Sequence, residues 1–168
     1  NLRRAWGEGL VAYSCGEVVA ARKSFLIARA EAEHKLQEQP EYGPTFCELG
    51  MIDAGLGRKE EAVREGRRAC ELLPVSKDAV NGAQMMKYLG VIYAWVGEKD
   101  WAVAQVRATL RIPGDLSDGQ LRLHPFWDAL RGDPQFEALL LSIAPKGSAP
   151  VPLPPREGLQ AAPAANLF

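Results

Sequence analysis

Few residues in this chain are equipped for chemistry. There are two histidines, His34 and His124, and three cysteines, Cys15, Cys47 and Cys70. His34 sits in Glu31-Ala32-Glu33-His34-Lys35, the kind of charged run that a solvated helix face carries. His124 precedes Pro125 with no further His or Cys near it, whereas a protein-bound zinc needs several such ligands at short spacings. The cysteines are odd in number and widely spaced, with no C-x-x-C pair, so neither a disulfide framework nor a redox or metal motif is expected. Cys47 has no neighbouring histidine to activate it as a nucleophile, and a cysteine in a helical pattern is expected to pack as a small apolar residue. Gly55-Leu56-Gly57-Arg58-Lys59 has the glycines and lysine of a phosphate loop. It follows a helical pattern rather than a strand and lacks the Gly-x-x-x-x-Gly-Lys-Ser/Thr spacing, so a turn between two helices is expected instead. Acidic and basic residues alternate, and no carboxylate pair stands out for acid–base work. The expectation is no catalytic residue, no metal, no cofactor and no enzyme activity in this segment.

Bulk composition narrows the remaining classes. Lys and Arg number 20 against 21 Asp and Glu, a net charge of −1. Nucleic-acid binding draws on clustered excess positive charge, so no direct nucleic-acid contact is expected. No membrane span is expected either, because the longest apolar stretches are of the Val91–Val96 kind and a span needs about 18 residues or more. Hydrophobic residues make up 47% of the 168, enough for a packed core in one domain with an appendage. The chain opens at Asn1 rather than Met and shows no signal peptide, so an excerpt of a longer protein is expected, and the odd, widely spaced cysteines point to a reducing, cytoplasmic setting.

The elements that must position any site come from an internal repeat. Leu49-Gly50-Met51-Ile52-Asp53-Ala54-Gly55-Leu56-Gly57 aligns without gaps on Leu89-Gly90-Val91-Ile92-Tyr93-Ala94-Trp95-Val96-Gly97, and the match continues through Lys59/Lys99, Ala62/Ala102 and Val63/Val103. A weaker upstream copy places Gly9, Gly16, Ala21 and Phe25 against Gly50, Gly57, Ala62 and Gly66. Each copy predicts two helices joined at a glycine. In the middle copy, Phe46, Leu49, Gly50, Ile52 and Leu56 form an apolar stripe of helical period. Gly57 ends that helix, and Ala62, Val63, Gly66, Ala69, Cys70 and Leu73 form the stripe of the next. Its other side, Glu60, Glu61, Arg64, Glu65, Arg67, Arg68 and Glu71, is expected to be solvated. Gly50 with Ala62, Gly90 with Ala102 and Gly9 with Ala21 are expected to let paired helices approach closely. A pair this short buries its stripe only by stacking on the next pair.

Phe46, Leu49, Gly50, Gly57, Ala62, Ala69 and Pro74 fall in the slots of a tetratricopeptide repeat (TPR), and Met86, Leu89, Gly90, Tyr93, Gly97, Ala102 and Val106 do so in the last copy. The first copy departs most, with Ala5 and Glu8 where a large residue and leucine are usual. The chain therefore resembles a TPR module over residues 1 to 112. The resemblance implies an all-α, right-handed solenoid of about three antiparallel helix pairs. The extra residues relative to the usual repeat fall at Val75 to Asn81, with a new helix expected near Ala83. From Glu17 to about Glu38 there is no Gly or Pro, which predicts an unusually long second helix.

Residues 113–143 are expected to cap this solenoid. Asp115-Leu116-Ser117-Asp118 predicts a capped turn, and Asp133-Pro134 predicts a helix to about Ser142 that presents Phe136, Leu139 and Leu140. The stretch from Leu121 to Phe136 resembles an ending that follows TPR modules in large bacterial signalling proteins, behind a Ser/Thr kinase, a nucleotide cyclase or a winged-helix DNA-binding domain; His124 and Ala129 depart from its usual aspartate and proline. In residues 144–168, six of the chain's 12 prolines fall within the last 24 positions. That composition suits a flexible or polyproline-like tail, and Val151-Pro152-Leu153-Pro154-Pro155 suits either a linker or a ligand for a proline-reading domain.

In the family the first helix of each pair lines a concave groove that takes peptide segments. Carried over, the groove positions are Trp6, Leu10 and Tyr13, then Cys47 and Met51, then Lys87, Val91 and Trp95. Trp6 and Trp95 equally suit packing between repeats. The resemblance implies a protein-interaction scaffold in a larger bacterial signalling or regulatory protein, with a protein or peptide partner. Two alternatives stand beside it: a regulatory module for an intramolecular catalytic or DNA-binding domain, and a self-association module.

Overall fold

A computed structural model describes residues 2–114 and 116–144, and all of its regular structure is helical. The first six helices form three hairpins: α1 (Leu2–Ser14) with α2 (Val18–Glu38), α3 (Gly43–Gly55) with α4 (Lys59–Leu72), and α5 (Ala79–Trp95) with α6 (Lys99–Thr109). Each hairpin packs on the next, α2 on α3, and α4 and α3 on α5. Then come α7 (Asp118–Leu123), a 3-10 helix (Pro125–Leu130) and α8 (Pro134–Ile143). The proline-rich tail, including Val151–Pro155, lies outside the described residues. Among those described, no helix is long and apolar enough to cross a membrane.

The three hairpins close by one mechanism. A helix end strands its last carbonyls, and a left-handed residue lets the chain turn back to satisfy them. Gly16, Gly57 and Gly97 take that conformation, with φ of 74°, 77° and 82°, where a Cβ would be costly. The next residue in each case donates its N–H to a carbonyl five positions back: Glu17 to Ala12, Arg58 to Asp53 and Glu98 to Tyr93. The glycine spacing in the sequence is thus a repeat of turn geometry. Gly55-Leu56-Gly57-Arg58-Lys59 is the second of these turns.

Close approach is more varied than the sequence pattern suggests. A Cβ on Gly50 would stand 3.0 Å from the Ala62 carbonyl and the Gly66 amide, so α3 and α4 do meet backbone to backbone there. Gly9, however, makes room for the ring of Phe25, which a Cβ would approach to 2.5 Å, and Gly55 faces the same ring from α3. Phe25 is therefore a wedge on α2 held between α1 and α3. At Gly90 a Cβ would meet Trp127, Gln105 and Val106 at ordinary contact distances of 3.5–3.6 Å, so that glycine is not required for packing.

Side-chain caps set several boundaries. Asp78 accepts from the Val80 and Asn81 amides and starts α5 at Ala79, four residues before the expected Ala83. Ser117 caps α7 and Asp133 caps α8. Phe136, Leu139 and Leu140 of α8 join Leu121, Trp127 and Leu130 in one core with Val103 and Val106 of α6. One assignment on α4 is corrected. Glu65, placed by pattern on the solvated face, is buried, because α4 turns that position toward the fully buried Asp53 of α3.

Candidate functional site

A cleft of about 230 Å3 opens where the first helices of the hairpins lie side by side. Trp6 and Leu10 of α1 and Cys47 and Met51 of α3 line it, four of the positions expected from sequence. Pro44 and Glu48 from α3 and Gln84, Met85 and Tyr88 from α5 complete its walls, and Phe126 of the 3-10 helix closes them. Every lining residue belongs to α1, α3, α5 or the 3-10 helix, and none to α2, α4 or α6. Trp6, Tyr88 and Phe126 are its partly exposed aromatic groups, with Cys47, Met51 and Met85 buried behind them.

The other four expected positions lie elsewhere. Val91 is fully buried. Trp95 is also core: its ring stacks on Tyr13 at 4.6 Å, meets Phe126 edge-on at 5.5 Å, and its indole N–H donates to the Phe126 carbonyl at 3.1 Å. Tyr13 and Trp95 thus form a packed aromatic contact that ties α1 to α5 and to the 3-10 helix. Lys87 lies beside the cleft with its ammonium 5.1 Å from the centroid of the Tyr88 ring. Trp6 does both jobs, packing on Phe25 at 5.7 Å and facing the cleft.

Burial raises the pKa of two titratable groups in this wall. The Cys47 thiol is driven far above its ordinary range, chiefly by desolvation, so it packs as an apolar group and is not poised as a nucleophile. The Glu48 carboxyl is also pushed up by burial, with Lys35, whose Nζ stands 3.9 Å away, and Arg3 opposing.

A second, larger cleft of about 530 Å3 lies against α4 and α6. Its cations are already engaged: Lys59 pairs with Glu98, Arg64 with Glu65, and Arg67 donates to the Tyr93 hydroxyl at 2.9 Å with its guanidinium over the Tyr93 and Trp101 rings. The cysteines are unpaired thiols, and His124 caps the 3-10 helix by accepting from the Phe126 amide. Among the described residues, no group of three or more His, Cys, Asp or Glu could hold a metal ion.

No protein-family model, curated protein or solved structure matches the chain.

Sequence reasoning missed six lining residues. For four of them the signal was present: Pro44 and Gln84, and Glu48 and Tyr88, are related by the same forty-residue shift as Cys47 and Lys87. They stand one helical step from the chosen positions. Met85 and Phe126 carried no such signal, because a rotation of α5 and the docking of the 3-10 helix bring them to the cleft.

Proposed function

We propose that the chain is a protein-interaction module, a TPR-like right-handed solenoid whose first-helix face receives a peptide or protein segment, within a larger bacterial signalling or regulatory protein. The observation that carries this is the composition of the smaller cleft: all its walls come from first helices and the 3-10 helix. Three hairpins closed by one glycine turn, with the segment from α7 to α8 packed on the third, support the solenoid. The partly exposed Trp6 and Tyr88 are residue types that often anchor a partner.

The test is capture of partners by the native chain and by a Gln84→Arg, Tyr88→Ala variant shown to be folded by circular dichroism. Both positions are partly exposed on the cleft wall, so the fold is expected to survive. A partner held by the native chain and lost by the variant supports the cleft as the interface. Equal retention by both removes the cleft from that role. Trp95 is unsuited to such a test because its loss would disturb the core.

A further inference from the structure

Two acids meet in the interior where α2, α3 and α4 join. Asp53 on α3 is 0% exposed and Glu65 on α4 is 6% exposed. The charged groups around them come from each neighbouring element. Arg29 of α2 donates Nε to Asp53 Oδ1 at 2.8 Å and also pairs with Glu33. Arg58, at the turn into α4, brings Nη1 to 3.9 Å from the same Oδ1, and Arg64 stands 3.6 Å from Glu65 Oε1. The inner oxygens are left over. Asp53 Oδ2 and Glu65 Oε2 are both sealed from solvent, and neither has a donor.

The two orphaned oxygens belong to carboxyls on helices packed against each other, and the charge of Asp53 bears on Glu65. An ionised carboxylate only accepts, so two of them facing each other repel and satisfy neither oxygen. One added proton turns one acid into a donor and satisfies both. We propose that Glu65 keeps its proton in the folded chain at neutral pH and donates it to Asp53, and that this contact is a pH-sensitive clasp holding α3 to α4. α3 also carries Cys47, Glu48 and Met51 into the first-helix cleft, so the clasp lies directly behind one of its walls.

The direction of titration agrees with the geometry. Burial first, then the charge of Asp53 and a hydrogen bond to it, push the Glu65 carboxyl up from 4.5 to about 8, while Arg64 and Arg29 pull it down. An acid whose folded pKa is raised holds its proton in the folded chain after the unfolded chain has lost it. Its contribution to stability is therefore full below about 4.5, declines as pH rises, and is gone above about 8.

The experiment is thermal unfolding of the full chain between pH 5.5 and 9, native and Glu65→Gln. Glutamine keeps a donor toward Asp53 and cannot ionise, so the difference between the two curves reports on Glu65 and the groups that face it, while titrating groups elsewhere cancel. The native midpoint is expected to fall by roughly 5–10 °C relative to the variant across this range and then to level off. Parallel curves would overturn the proposal, as would a native midpoint that holds constant relative to the variant. A carbon-13 titration of the native Glu65 carboxyl covers the case in which the variant folds poorly. Protonation persisting above pH 7 is expected, and a midpoint below pH 5 would overturn the proposal.

Discussion

Three thiols of identical chemistry occupy three different surroundings. Cys15 is exposed beside the first hairpin turn, Cys70 is half-buried, and Cys47 is sealed between α3 and its neighbours. Burial pushes the Cys70 thiol up to about 11 and that of Cys47 higher still. Since only a thiolate attacks an alkylating reagent, native protein at pH 7.5 should modify quickly at Cys15 alone. Cys47 should react only after denaturant is added, and peptide mass spectrometry after timed labelling reads the order. Rapid native modification of Cys47 would contradict its burial. The sequence placed all three as small apolar packers; Cys47 is buried and Cys70 half-buried, but Cys15 is exposed because it falls in the turn just after α1 ends at Ser14.

Repetition at the level of the hairpin does not mean equivalence. Val11, Ile52 and Ile92 hold the same position in the first helices of the three hairpins, yet Ile52 and Ile92 are 0% exposed and Val11 is 66% exposed. The cause is stacking: α2 covers this side of α3 with Phe25, Ala28 and Ala32, and α4 covers the same side of α5, whereas no described element covers α1 there. Ile52→Ala is accordingly expected to cost about 2–5 kcal/mol, while Val11→Ala should stay within about 0.5 kcal/mol. Urea unfolding of the two variants checks this, and equal losses would mean that α1 is covered in solution. The neighbouring positions fit the same logic, since Arg4 and Glu8 form a solvent-facing pair where Thr45 and Leu49 are buried.

For the molecule as a whole, the segment after α6 is part of the core rather than an addition to it. Trp95 reaches back to Tyr13 of α1 and forward to Phe126, and Trp127 of the same 3-10 helix packs against the third hairpin. Such a side chain couples both ends of the repeat array, which nearest-neighbour stacking alone would leave independent. Trp95→Ala is expected to cost about 3–5 kcal/mol. The unfolding transition should also broaden as the first hairpin uncouples from the rest, which calorimetry would show as a calorimetric enthalpy exceeding the van't Hoff value. A sharp, single transition of unchanged width would assign the coupling to other contacts.

The three hairpins, their glycine turns and the last helix from Pro134 were legible in the chain because each rests on local chemistry, whereas the 3-10 helix over Pro125–Leu130 was not. A glycine at a left-handed turn, an aspartate before a proline and apolar residues at helical spacing act over a few residues. α5 starts at Ala79 rather than near Ala83 because the Asp78 side chain accepts from the Val80 and Asn81 amides. Four of the eight cleft residues expected from the tetratricopeptide resemblance, Trp6, Leu10, Cys47 and Met51, line the cleft. Other features depend on how far each helix is rotated and what comes to rest on it, and no local pattern carries that information. Docking of the 3-10 helix packs Trp95 into the core and brings Phe126 to the cleft wall. The roll of α4 against α3 takes Glu65 from an apparently solvated stripe and sets it against Asp53, where one proton satisfies two carboxyls.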